Sequence, residues 1–238
     1  MNALRRRIRP IGAADAGLSI AELAVAIMIL GVISALVMGF FSSTIKTVGV
    51  ASALRTNTGM AANAMNELSR VIRAGTENPI RNVELPDPVF VSATAESLVL
   101  YAYVNLQSSD QTPVMIRFRI DGERRLIEEK WAATRDSYGY WVFPSLSVRP
   151  EPVPTSKRFI ASALAPAASG VPALFSYIDA AGDVIPLPTS GLSVDAIRSV
   201  AAVALTVSIQ GSAADSASRV VLENTVGIPN LGLNRSLG

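Results

Sequence analysis

From Leu23 to Phe41 the chain reads LAVAIMILGVISALVMGFF, nineteen consecutive residues without a charge. At helical rise the run spans about 28 Å, close to the thickness of a bilayer's hydrocarbon core, so it reads as a transmembrane helix. Arg5, Arg6, Arg7 and Arg9 precede it, and only Lys46 follows closely. By the positive-inside rule the N-terminus is expected in the cytoplasm and everything after Phe41 outside it. A cleaved secretory signal is the rival reading, because Ala51-Ser52-Ala53 has the small residues of a cleavage site. Against it, the run exceeds the usual signal core of roughly 7 to 15 residues, and the site lies about ten residues past its end.

The same arginines account for the chain's basicity. Of a net charge of +2 over 238 residues, the first 17 contribute +3, four arginines against Asp15, which leaves −1 for the remainder. A body of that charge has no basic footprint, so nucleic acid is not indicated as a partner. Cysteine and histidine are both absent. That excludes disulfides, thiolate nucleophiles and zinc–thiolate sites, and removes the commonest general base and transition-metal ligand. An enzyme would need an unusual carboxylate, lysine or tyrosine mechanism; none is expected, nor any cofactor or metal.

Beyond the apolar run the helical period continues through Ile45, Val48, Leu54, Ala61, Met65, Leu68 and Ile72, while Lys46, Arg55, Asn63, Asn66 and Arg70 fall on the other face. Ala74-Gly75 followed by Pro79 stops the helix, because glycine accepts the left-handed conformation at a helix end and proline cannot extend it. A helix from about Leu18 to Ala74 is expected. Gly49 and Gly59 inside it each cost about 1 kcal/mol relative to alanine.

After Pro79 the period becomes two. Val89 to Ala93, Leu98 to Val104, Val114 to Ile120 and Arg125 to Trp131 read as strands, with Asp121-Gly122 as the hairpin turn between the last two. Ala173 to Ile178 and Val184 to Leu187 flank a polar turn at 179–183, and Val200 to Ile209 pairs with Arg219 to Val226. Four prolines between Pro144 and Pro154 mark a loop or edge connection. The fold class is α+β: a long N-terminal helix, then an antiparallel β-rich head.

At the mouth of the apolar run stands Ala16-Gly17-Leu18-Ser19-Ile20-Ala21-Glu22-Leu23. It resembles the class III signal of type IV prepilins and type II secretion pseudopilins: a basic leader ending in glycine, an apolar first mature residue, a glutamate at the fifth mature position, and an uninterrupted apolar helix. Leu18 replaces the commoner phenylalanine and Ser19 the commoner threonine. The resemblance covers about the first 41 residues. It implies cleavage between Gly17 and Leu18 by a prepilin peptidase, N-methylation of Leu18, and pairing of Glu22 with the first-residue amine of a neighbouring subunit. It divides the chain into a leader (1–17), a transmembrane and filament-core helix (18–41), an amphipathic continuation (42–74) and an extracytoplasmic head (75–238). The implied partners are other pilin subunits, the peptidase, an inner-membrane assembly platform, and membrane lipid before assembly. The hairpin Phe175 to Gly182 and the segment Ile197 to Ile209 also resemble the larger heads of minor pilins.

Each of these residues has a plainer reading. Gly17 alone is a loop glycine before a helix, although it would also let a protease reach the backbone unobstructed. Ser19-Ile20-Ala21-Glu22 is also a capping box, in which serine and glutamate satisfy the first orphan amides. A carboxylate at the bilayer edge is costly, which favours a function beyond capping. Asp179 and Asp183 have too few neighbouring oxygens for calcium and read as turn residues. Glu128 and Glu129 fall on opposite strand faces and make no acid/base pair. Tyr138, Tyr140, Trp141 and Phe143 read as core or subunit contact rather than a stacking platform for sugars or bases. A single-pass anchored binding protein outside any filament is the alternative function.

Overall fold

A computed structural model of the chain describes residues 19–104, 112–165, 172–211 and 218–229. Helix α1 runs from Ile20 to Arg73. Within it, two compact units meet between Gly49 and Val50. In the first unit α1 exposes apolar side chains on every side: Leu23, Met28, Leu36 and Phe40 are 53–70% accessible. That is one helix long and apolar enough to cross a membrane. Ile45 and Val48, expected on a covered face, are also exposed.

The second unit begins with the last turns of α1, which bury Asn57, Ala61, Ala64, Met65, Leu68 and Ile72, a stripe at helical spacing. Lys46, Arg55, Asn63, Asn66 and Arg70 are exposed as the pattern requires. The helix stops where the sequence says, but for a different reason at Gly75. Its backbone is not left-handed. A Cβ there would lie 2.7 Å from Val89 Cγ1 and 2.9 Å from Ile72 O, so glycine is needed for close approach. The chain is then pinned to the sheet by Thr76 N–H donating to Tyr101 O at 2.9 Å and Tyr103 N–H to Ala74 O at 3.1 Å.

Strands β1 (Phe90–Ala93), β2 (Ser97–Ala102), β3 (Val114–Ile120), β4 (Leu126–Ala132) and β7 (Ser156–Ala161) form an antiparallel sheet in the order β1-β2-β3-β4-β7. Between β4 and β7 lies a small hairpin of β5 (Thr134–Arg135) and β6 (Trp141–Val142). A second antiparallel sheet, in the order β10-β9-β8, joins β8 (Phe175–Asp179), β9 (Val200–Ile209) and β10 (Val220–Gly227), with the short helix α2 (Val194–Ser199) before β9. The two expected hairpins thus fuse: β8 pairs with β9, and Val184 to Leu187 is no strand, holding only a bridge from Val184 to Ile178.

One core unites the parts. Leu68 and Ile72 of α1, Leu98, Leu100, Ile116 and Phe118 of the larger sheet, and Phe175, Tyr177, Val203 and Leu205 of the smaller one belong to a single buried cluster. Alanines at 61 and 64 let the helix backbone approach the strands. The Tyr177 hydroxyl donates to Thr94 O at 2.8 Å, so the phenol is satisfied inside the core, where burial raises its pKa. The opposite face of β2–β4 carries a second cluster of Val99, Tyr101, Met115 and Trp131, capped by Phe143 and Leu146. Strand β2 is therefore covered on both faces.

Candidate functional site

The expected processing residues Gly17 and Leu18 lie outside the described residues. The description begins at Ser19, where the capping box is formed: Ser19 N–H donates to Glu22 Oε2 at 3.0 Å, and Glu22 N–H donates to Ser19 Oγ at 3.2 Å. Two of the orphan amides that open α1 are thereby satisfied. The box engages one carboxylate oxygen, while an ionised carboxylate offers about four acceptor positions. Glu22 therefore retains capacity for another donor at the head of a helix whose next nineteen residues, Leu23 to Phe41, carry no charge.

In the head, the hairpin of β3 and β4 sets Arg117 opposite Glu129. Glu129 accepts from Arg117 Nε at 2.7 Å and from Arg119 Nε and Nη2 at 3.0 Å, with Lys157 Nζ 3.8 Å away. Burial pushes the Glu129 carboxyl up, but hydrogen bonds and charge from Arg119 and Arg117 outweigh it, and its pKa lies below the ordinary value. On the other face Glu128 pairs with Arg158 and with Lys130 Nζ at 3.3 Å. Arg158 also pairs with Glu67 of α1, joining helix to sheet. Glu67 is raised by burial yet held below its ordinary value by Arg70 and Arg158.

The two adjacent glutamates do point to opposite faces, and each is neutralised by its own cations. Their side chains are 0% and 4% exposed, which the alternation alone did not suggest. The signal available was register: centring the hairpin on residues 121–125 places Arg117 across from Glu129. Asp179 is a turn residue, its Oδ1 accepting from Ala181 N–H at 2.9 Å and Asp183 N–H at 3.0 Å, with Gly182 at φ +93°.

The aromatic segment divides. Phe143 lies on Tyr101 with ring centroids 4.6 Å apart, as expected for core. Tyr138 is exposed beneath the Arg81 guanidinium, 3.2 Å from its ring centroid. Trp141 carries Arg135 at 4.2 Å and lines a cleft of about 630 Å³ over the outer face of β2 and β3. Nothing in the sequence pattern announced that cleft, because its walls come from distant parts of the chain, one ending in β1 and the other beginning with the two-residue strand β6.

No family model matches the chain, and no curated protein is significantly similar to it in sequence. A long apolar N-terminal helix followed by a β-rich head is compatible with a pilin-like architecture.

Proposed function

We propose that the chain is a minor pilin or pseudopilin, a subunit of a type IV pilus or type II secretion-like filament. A prepilin peptidase removes the leader between Gly17 and Leu18 and Leu18 is N-methylated. The apolar part of α1 holds the protein in the cytoplasmic membrane with its head outside, then packs against the helices of other subunits when the assembly platform inserts it into the filament. The observation that supports this best is Glu22, a lone carboxylate five residues after Gly17 that heads nineteen uncharged residues. No catalytic role is proposed.

The reading is tested by the mature N-terminus. Mass spectrometry of membrane-extracted protein is expected to find a chain starting at methylated Leu18, and Gly17→Phe is expected to leave the precursor uncut. A terminus at Leu54 would replace this reading with a secreted protein. The second reading, an anchored binding protein that never assembles, draws support from the cleft beside Trp141. It predicts an uncut N-terminus.

A further inference from the structure

The cleft is built from three parts. Val99, Tyr101, Met115 and Arg117 of β2 and β3 form its floor; one wall runs from Asn78 to Ser92 and the other from Trp141 to Glu151. Its volume of about 630 Å³ falls within the span of small-molecule sites. We infer that this cleft binds a neutral saccharide of one or two sugar units.

Charge narrows the ligand first. Asp87 and Glu151 are balanced by Arg117 and Arg149, and Arg117 is already paired with Glu151 and Glu129. The net charge of the lining is zero, so it selects neither a polyanion nor a cation. Polarity narrows it further. The lining includes the hydroxyls of Ser92, Ser97, Ser145 and Ser147, and the amide of Asn78, whose Nδ2 already donates to Trp141 O at 3.4 Å; a purely apolar ligand would strip water from the hydroxyls without replacing its hydrogen bonds. Asp87 accepts, Arg149 donates, and serine and asparagine do both, which is the set a polyol requires.

The apolar component suits the C–H face of a sugar ring. Trp141 and Phe143 stand in the wall, the former held by Arg135 over its ring and the latter by its stack on Tyr101. Tyr101 is also fixed: it is buried in the cluster with Met115 and Trp131, and burial, with the nearby Asp87 carboxylate, pushes its pKa up to about 12. A site whose aromatic groups are already placed loses little entropy on binding.

The inference does not depend on the filament reading, and it is tested on unassembled full-length protein. The chain is held in micelles of lauryldimethylamine oxide, because glycosidic detergents would compete for the cleft. Saturation-transfer NMR is run with maltose, lactose, cellobiose and diacetylchitobiose, each at about 10 mM, suited to a millimolar Kd. At least one disaccharide is expected to bind. Asp87→Asn and Trp141→Ala are each expected to weaken it about tenfold. Ser145→Trp, which fills the cleft from an exposed loop position, is expected to abolish binding without touching the core, and Val221→Ala on β10 is expected to leave it unchanged. Absence of signal from all four sugars, binding that survives Ser145→Trp, or preference for a sulfated disaccharide over the neutral ones would each overturn the inference.

Discussion

Replacing Glu129 by glutamine tests whether the buried charges of the head are a stabilising network. The lost carboxylate is 4% exposed and faces Arg117 and Arg119, at 2.6 and 3.0 Å, and Lys157 at 3.8 Å. Breaking a buried ion pair from one side costs roughly 3 to 5 kcal/mol, because the remaining charge is left uncompensated. Two features reduce that here. Arg119 is 31% exposed, so water screens it, and Arg117 keeps its bond to Glu151. The expected loss is about 2 to 3 kcal/mol, a Tm lower by about 4 to 12 °C.

Thermal unfolding of the full-length protein in micelles, followed by near-ultraviolet circular dichroism, reads this loss at neutral pH. The pH dependence supplies a second check. Because the folded-state pKa of Glu129 lies below its unfolded value of 4.5, its stabilisation is full above about that pH and fades as pH falls through the folded value. The deficit of the glutamine variant is therefore expected to shrink in acid. A variant within about 0.5 kcal/mol of wild type, or a deficit that stays constant below pH 4.5, would refute the reasoning.

Gly59 sits in the helix interior, and an added Cβ would meet no atom within 4 Å beyond its own turns of helix, so Gly59→Ala is expected to stabilise the head by about 0.5 to 1 kcal/mol, read as a higher Tm. Gly75→Ala is expected to destabilise by about 1 to 3 kcal/mol in urea unfolding, because its Cβ would meet Val89 at 2.7 Å and the Ile72 carbonyl at 2.9 Å; a neutral result would show that the helix end relaxes freely. Glu22→Gln keeps a capping geometry and is expected to insert and be cleaved normally, yet to be depleted from sheared filaments. Loss of the cap alone is limited to about 0.5 to 2 kcal/mol, whereas an unpaired neighbour amine costs roughly 3 to 5. Wild-type incorporation would return Glu22 to the capping role alone.

Much of the fold was legible because its signals are local. Strand β3 and strand β9 have the bounds that alternation predicts, and α1 stops one residue before Ala74. What escaped the pattern was set by tertiary context. Strand β7 follows the proline-rich stretch and carries exposed Lys157, Arg158 and Phe159, so it shows no buried alternation; it is a strand because β4 offers it a free edge. Helix α2 is only six residues long, although Ser193, whose Oγ accepts the Ala196 N–H at 3.3 Å, was a readable cap. At the turn after β3, Asp121-Gly122 does open the hairpin, with Asp121 N–H donating to Arg125 O at 3.0 Å. What the pattern did not show is that the positive φ of 57° falls on Arg124, whose guanidinium is anchored by Glu96 at 2.8 Å and by the Ala165 carbonyl at 2.6 Å. Of the candidate site, the capping box of Ser19 and Glu22 was legible and the cleft was not, since a pocket between segments distant in the chain leaves no periodic trace.

The two stretches of α1 differ in composition, and only the first is long and apolar enough to cross a membrane. Between Leu23 and Phe41 large apolar groups occupy every side, an exposure that water penalises and lipid does not. From Asn57 to Ile72 only one stripe is apolar, and it is covered by strands. Substitutions in the two stretches should therefore separate by readout, the first altering membrane insertion and the second the stability of the head. The capping box fits the first stretch in particular. A helix entering hydrocarbon must satisfy its opening amides internally, and the box satisfies two of them, one with a single Glu22 carboxylate oxygen and one with the Ser19 hydroxyl. The box engages only one of the two carboxylate oxygens, so capping and the proposed subunit pairing are compatible roles for one side chain.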